Sequence, residues 1–187
     1  MKVVCGLGNP GPEYDDTRHN VGWWLADRLA VDWKLGPFRR RGPAFEASGV
    51  VGVHDVLLLK PQTYMNRSGA ALAALRRDED FDPARDLLVV VDDAAIDVGR
   101  LRFRPSGSAG GHNGLKSVEA ALGTRDYARL RIGVGPVPPG VDMADFVLSP
   151  MDRVDEEAVL ERLDIAVEGV RTWLDEGIEA AMSRHNG

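Results

Sequence analysis

One cysteine is all the chain has. Cys5 stands alone among 187 residues, so no intramolecular disulfide and no cysteine-based zinc site can form. A reducing compartment, the cytoplasm, is the expectation that follows. Long apolar runs are missing as well, since nothing approaches the roughly 18 residues of a membrane-spanning helix. The start, "MKVVCGLG", has a short apolar run soon followed by proline and charge, which is not the pattern expected of a signal peptide. Internal repeats and a dividing linker are also absent. No Ser, Cys or Thr sits in a recognisable nucleophile motif, and "RPSGS" is not a nucleophile elbow. That leaves attack by water rather than a covalent enzyme intermediate.

What is present is ordinary for a globular protein: 44% hydrophobic and 28% charged residues. The length predicts one domain, residues 1–187, with a substantial core. The net charge of −6 argues, as an average, against a nucleic-acid partner. Its distribution argues otherwise. Between Gly99 and Gly133 lie Arg100, Arg102, Arg104, Lys116, Arg125, Arg129 and Arg131, opposed only by Glu119 and Asp126. From Asp142 onward the chain turns acidic. A basic middle of this kind can bind phosphates despite the overall sign.

Periodicity gives the elements. "KVVCGLG" reads as a buried first strand, and "HNVGWWLADRLAV" as an amphipathic helix with Arg28 at its rim. "AFEASGVVGVHDVLLLKP" predicts two strands joined near Gly52 to Asp55 and ending at Pro61. "GPFRRRG" is loop-like, with Arg39 to Arg41 either solvating it or adding to a basic binding surface. "SGAALAALRRDED" has helical composition, with Asn66 or Ser68 as N-cap. "DLLVVVDD" is a central strand ending in two acids. "RLRFR" and "YARLRIGVG" alternate as strands do, and Gly123 closes a short helix after "SGSAGGHNG". "PVPPG" is a loop, followed by a long C-terminal helix. The expected fold is α/β: a single domain with a mixed twisted β-sheet flanked by helices.

The loop "CGLGNPGPEYDDTRHN" contains Gly6, Gly8 and Gly11, spelling G-x-G-x-x-G after a strand. A dinucleotide site would need a helix to start inside that motif. Here Pro10 and Pro12 remove backbone donors, and the helical pattern starts only near Asn20. No acid follows a second strand at the expected place either. A turn that needs positive φ at a glycine explains the spelling better.

Three asparagines recur among turn residues at strand-to-helix junctions: Asn9 in "GNPG", Asn66 in "YMNRSG" and Asn113 in "GGHNG". An uncharged group carrying both donor and acceptor suits recognition of a peptide group. His19 is the candidate base. Asp92, ending a buried strand, needs a partner there, and an Asp–His pair would orient the imidazole. His112 lies beside Asn113 and could touch a substrate. His19, Asp92, Asp93 and His112 share no tight metal-ligand spacing, so no metal is expected.

With these residues in view, "GLGNPGPEYDDTRHNVG", "KPQTYMNRSG", "VVVDD" and "GSAGGHNGLKSVE" through "YARLRIGVG" closely resemble bacterial peptidyl-tRNA hydrolases, over nearly the whole chain. The resemblance implies a monomeric cytosolic esterase without cofactor that cleaves peptidyl-tRNA to recycle tRNA. It implies His19 as the base activating water, Asp92 as its orienting partner and Asn113 as a group placing the water or the oxyanion. Asn9 and Asn66 would hold the substrate's peptide part and its ester. Tyr14, Met65 and His112 would line the cleft, and Arg104 and Arg131 would clamp the tRNA 5′-phosphate. The chain departs from the family pattern in "DDAAIDVG", where Ala95 replaces an acid. A non-catalytic RNA-binding relative and a nucleotide-binding oxidoreductase remain the competing readings.

Overall fold

The computed structural model describes all 187 residues and is organised by one seven-stranded sheet. Its strands are β1 (Lys2–Gly6), β2 (Arg39–Arg41), β3 (Ala44–Val51), β4 (His54–Pro61), β5 (Leu87–Asp97), β6 (Leu101–Arg104) and β7 (Ala128–Gly135). They lie in the order β2-β3-β4-β1-β5-β7-β6. The central four, β4, β1, β5 and β7, are parallel, and antiparallel pairings add β3 and β2 at one edge and β6 at the other. The helices are α1 (Val21–Asp32), α2 (Pro83–Asp86), α3 (Asn113–Leu122), α4 (Met143–Val147), α5 (Arg153–Glu176) and α6 (Ile178–His185). This is the mixed α/β sheet that the alternation of strands and helices predicts.

Both faces of the sheet are covered. On one, Leu88 and Val90 of β5 join a 28-residue core with Leu25 and Leu29 of α1 and Leu163 and Val170 of α5. On the other, Leu87, Val89 and Val91 join a 15-residue core with Leu115, Val118 and Leu122 of α3. Successive strand residues point to opposite faces, so the unbroken "LLVVV" is what a strand buried on both sides requires. Each such side chain contributes about 1.5–3 kcal/mol by leaving water.

The glycines after β1 work mainly by contact. A Cβ on Gly6 would stand 2.2 Å from the carbonyl oxygen of Gly22, and one on Gly8 would meet the Trp23 ring at 2.8 Å. Of the three, only Gly11 needs a positive φ, 119°. α1 starts at Val21, outside the G-x-G-x-x-G spelling.

Several local expectations are corrected. "SGAALAALRRDED" does not form an α-helix: it makes 3-10 turns at Met65–Ala71 and Leu75–Arg77. Gly69 is pressed against α3, where a Cβ would lie 2.2 Å from the Ser117 carbonyl oxygen. Neither Asn66 nor Ser68 caps it; the Ser68 hydroxyl donates to the Met65 carbonyl at 2.8 Å. "GPFRRRG" is not wholly a loop, because Arg39–Arg41 pair with Ala44–Glu46 as an exposed edge strand. Three charges on such a strand discourage further pairing. The stretch before Pro150 contains α4, and the long C-terminal helix breaks at Gly177 (φ 91°) before α6. β5 continues past Asp92 to Asp97, with its register against β7 broken between Asp93 and Asp97. β1 ends sooner, its last pair being Gly6 with Val90. Asp92 therefore emerges beyond the end of β1 although it is not the end of its own strand.

Candidate active site

A cleft of about 520 Å³ opens over the carboxyl ends of the parallel strands, where ligands collect in open α/β sheets. Asn9 enters it from the loop after β1, Met65 and Asn66 from the turn after β4, Asp92 and Asp93 from β5, and Arg131 from β7. His112 and Asn113 come from the start of α3. His19 comes from the 3-10 turn Arg18–Asn20 that leads into α1. Met143, Ala144, Val147 and Leu148 of α4 and its end form the far wall. Tyr14 stands edge-on to Tyr64, ring centroids 6.5 Å apart.

His19 and Asp92 are brought together as the sequence predicts. Nδ1 of His19 lies 2.8 Å from Oδ1 of Asp92. A carboxylate only accepts, so Nδ1 carries the proton and Nε2 keeps its lone pair, the form a general base needs. Less expected is the second imidazole: Nε2 of His112 also lies 2.8 Å from the same Oδ1. Asp92 is 2% exposed. Burial pushes its carboxyl up, but the two imidazoles, His112 ahead of His19, outweigh burial and hold it well below the usual carboxylate range. The facing atoms of the three residues fall within 4.8 Å of one another, near enough for a cation to be considered. Each is already engaged in a hydrogen bond within the trio, which accounts for the cluster without one. Cys5, buried in β1 with its thiol pushed up to about 12 by that burial, is no nucleophile at neutral pH.

The asparagines differ in how they are held. Asn9 is buried, and its Oδ1 accepts the Met65 N–H at 2.7 Å. Its amide Nδ2 donates to no group within the chain, and Asn9 lines the cleft. Asn66 and Asn113 are exposed on the cleft wall. Sequence reasoning missed the residue that fixes Asn9. Asn20, 1% exposed, accepts the Asn9 N–H at 2.8 Å and donates to its carbonyl at 3.0 Å.

Arg18 was missed in the same way. Its guanidinium is buried over the Phe146 ring, 4.0 Å from the centroid, and donates to Ser149 Oγ at 2.7 Å and the Pro150 carbonyl at 3.0 Å. It thus fastens the α4 wall to the turn that carries His19. Neither role leaves a local signal in "TRHN".

The arginines of the basic middle divide. Arg131 reaches the cleft, pairing with Asp93 at 3.2 Å and donating to the Ser108 carbonyl at 3.0 Å. Arg104 does not line the cleft. It borders a separate depression of about 190 Å³ with Arg100 and Arg102. The pairings Arg102–Arg131 and Arg104–Arg129 across β6 and β7 nonetheless put all four on one face of the sheet. Arg129, 1% exposed, is unavailable to a ligand. It lies over the Tyr127 ring and donates to the Gly107 and Arg125 carbonyls at 2.9 and 2.8 Å, holding the glycine-rich loop.

The family model described as peptidyl-tRNA hydrolase matches residues 3–187. A peptidyl-tRNA hydrolase of Gemmatimonas aurantiaca is 49% identical over 187 residues, covering 98% of each chain. One from Symbiobacterium thermophilum is 48% identical over 195 residues, covering 99% of this chain and 98% of its own. The crystal structure of peptidyl-tRNA hydrolase from Acinetobacter baumannii superposes with a TM-score of 0.91 at 30% identity, covering 100% of this chain and 95% of that one.

Proposed function

The chain belongs to the peptidyl-tRNA hydrolase family, and from that premise we propose that its cleft hydrolyses the ester between peptide and tRNA by general-base catalysis with water. His19 Nε2 takes a proton from water as the water oxygen attacks the ester carbonyl. The bond from the carbonyl carbon to the ribose oxygen then breaks, and the proton passes from His19 to the leaving ribose hydroxyl. Asp92 orients the ring and offsets the imidazolium charge as it forms. Asn113 offers a donor to the water or to the developing oxyanion. Asn9, through its free amide N–H, and Asn66 hold the peptide group beside Tyr14, Met65 and His112.

Arg104 and Arg131 take the 5′-phosphate of the tRNA, a contact that positions without reading sequence. The reading carries with it a single-domain cytoplasmic monomer that needs no cofactor. No helix is long and apolar enough to cross a membrane. The observation that carries the proposal is the 2.8 Å His19–Asp92 contact, which leaves Nε2 free in a cleft lined by three asparagines.

The test compares one tRNA carrying a free aminoacyl group with the same tRNA carrying it N-acetylated. Cleavage of the acetylated ester and sparing of the free one is expected, because a free ammonium offers the asparagines no peptide carbonyl. Equal turnover would refute recognition through the peptide group, and cleavage of neither would refute the function.

A further inference from the structure

His112 makes two sets of contacts that together decide where its proton sits. Its Nδ1 faces the backbone N–H groups of Gly114 at 3.1 Å and Leu115 at 3.4 Å, as the N-cap of α3. An N–H group only donates, so Nδ1 must present its lone pair. The ring proton is then on Nε2, which points at Asp92 Oδ1 from 2.8 Å. Protonating Nδ1 would set it against those N–H groups and against the positive end of the helix. Asp92 Oδ1 thus accepts from two imidazoles, whose ring centroids are 5.0 Å apart, while its Oδ2 takes no hydrogen bond within the chain.

We infer that His112 is a positioning residue for the base. With its proton on Nε2 it pins the carboxylate oxygen that orients His19, and through its cap it ties the start of α3, with Asn113, to that same oxygen. One side chain then sets the base and the candidate oxyanion donor in register. The inference rests on the proposed role of His19. Of the other titratable groups facing the cleft, Asp93 and Arg131 are paired with each other at 3.2 Å, and Tyr14 and Tyr64 stack edge to face.

Two substitutions separate the two contacts. An asparagine oxygen can stand where Nδ1 stands, so His112→Asn keeps the cap and loses the donor to Asp92. A glutamine amide can reach where Nε2 reaches, so His112→Gln keeps the donor and weakens the cap. His112→Asn is expected to melt close to wild type, with kcat about tenfold lower at similar KM, as for loss of one hydrogen bond to a charged group. The acidic limb of its pH–rate profile should also move. His112→Gln should recover most of kcat while melting lower. Wild-type kcat in His112→Asn, or a raised KM at unchanged kcat, would overturn the inference.

Nitrogen-15 NMR of the imidazoles gives a readout independent of activity. In the wild type His112 should carry its proton on Nε2 and His19 on Nδ1, with His19 becoming a tautomer mixture in His112→Asn. A proton on Nδ1 of His112, or an unchanged His19 in the variant, would also overturn it. Absence of ester cleavage by the wild type would instead strike the proposed function, leaving the NMR result to stand alone.

Discussion

Asp92 concentrates the chemistry of single residues: an almost fully buried carboxylate whose charge is kept by two imidazoles on one oxygen. Its folded-state pKa lies below the unfolded value, so its contribution to stability is present above the unfolded pKa and is lost as pH falls through the folded one. The window therefore opens at about pH 4 and extends downward. In urea titrations Asp92→Asn should be less stable than wild type at neutral pH, with the gap narrowing below about pH 4; a gap independent of pH would contradict this origin of the depressed carboxyl. His19 and the three asparagines were legible because they recur at strand-to-helix junctions, and Asp92 because a carboxylate closing the buried run "LLVVV" needs a partner. Asn20 and Arg18 were not. Their partners lie 11 and some 130 positions away in sequence, and no local pattern encodes a contact that only the folded chain creates.

Elements place these residues by close approach as much as by propensity. α1 crosses β1 where Gly6 meets Gly22, and a Cβ on Gly22 would lie 2.6 Å from the carbonyl oxygens of both Leu7 and Val90. These are backbone atoms that cannot swing aside, so Gly22→Ala must push α1 away from the sheet. A loss of about 1–3 kcal/mol or more is expected, read as a lowered urea midpoint. Activity should fall too, because His19 sits in the turn that begins this helix. An alanine variant with wild-type stability and rate would show that the approach is not what positions His19. The strands could be read from sequence because burial on both faces leaves an unbroken apolar run such as "LLVVV". The 65–77 segment could not, since its Ala-rich composition favours a helix and only its packing on α3 enforces 3-10 turns.

The whole molecule gathers four strand ends, the start of α3 and the α4 wall around one cleft. Arg18 binds that wall to the turn that carries His19, so the two sides of the site are one structure. The basic middle, read from sequence as a phosphate surface, is partly structural. Arg129 is spent inside on loop carbonyls, while Arg104 and Arg131 stay nearer the surface on one sheet face. Composition counts charges, and only the fold decides which of them meet solvent. The central claim is that His19, oriented by Asp92, activates the water that cleaves the ester. The most direct test is the rate of peptide release from N-acylated aminoacyl-tRNA by wild type and by His19→Ala, with KM measured for both. The account predicts a kcat lower by about 10²–10⁴-fold at nearly unchanged KM. A variant that cleaves within a few-fold of wild type would contradict it.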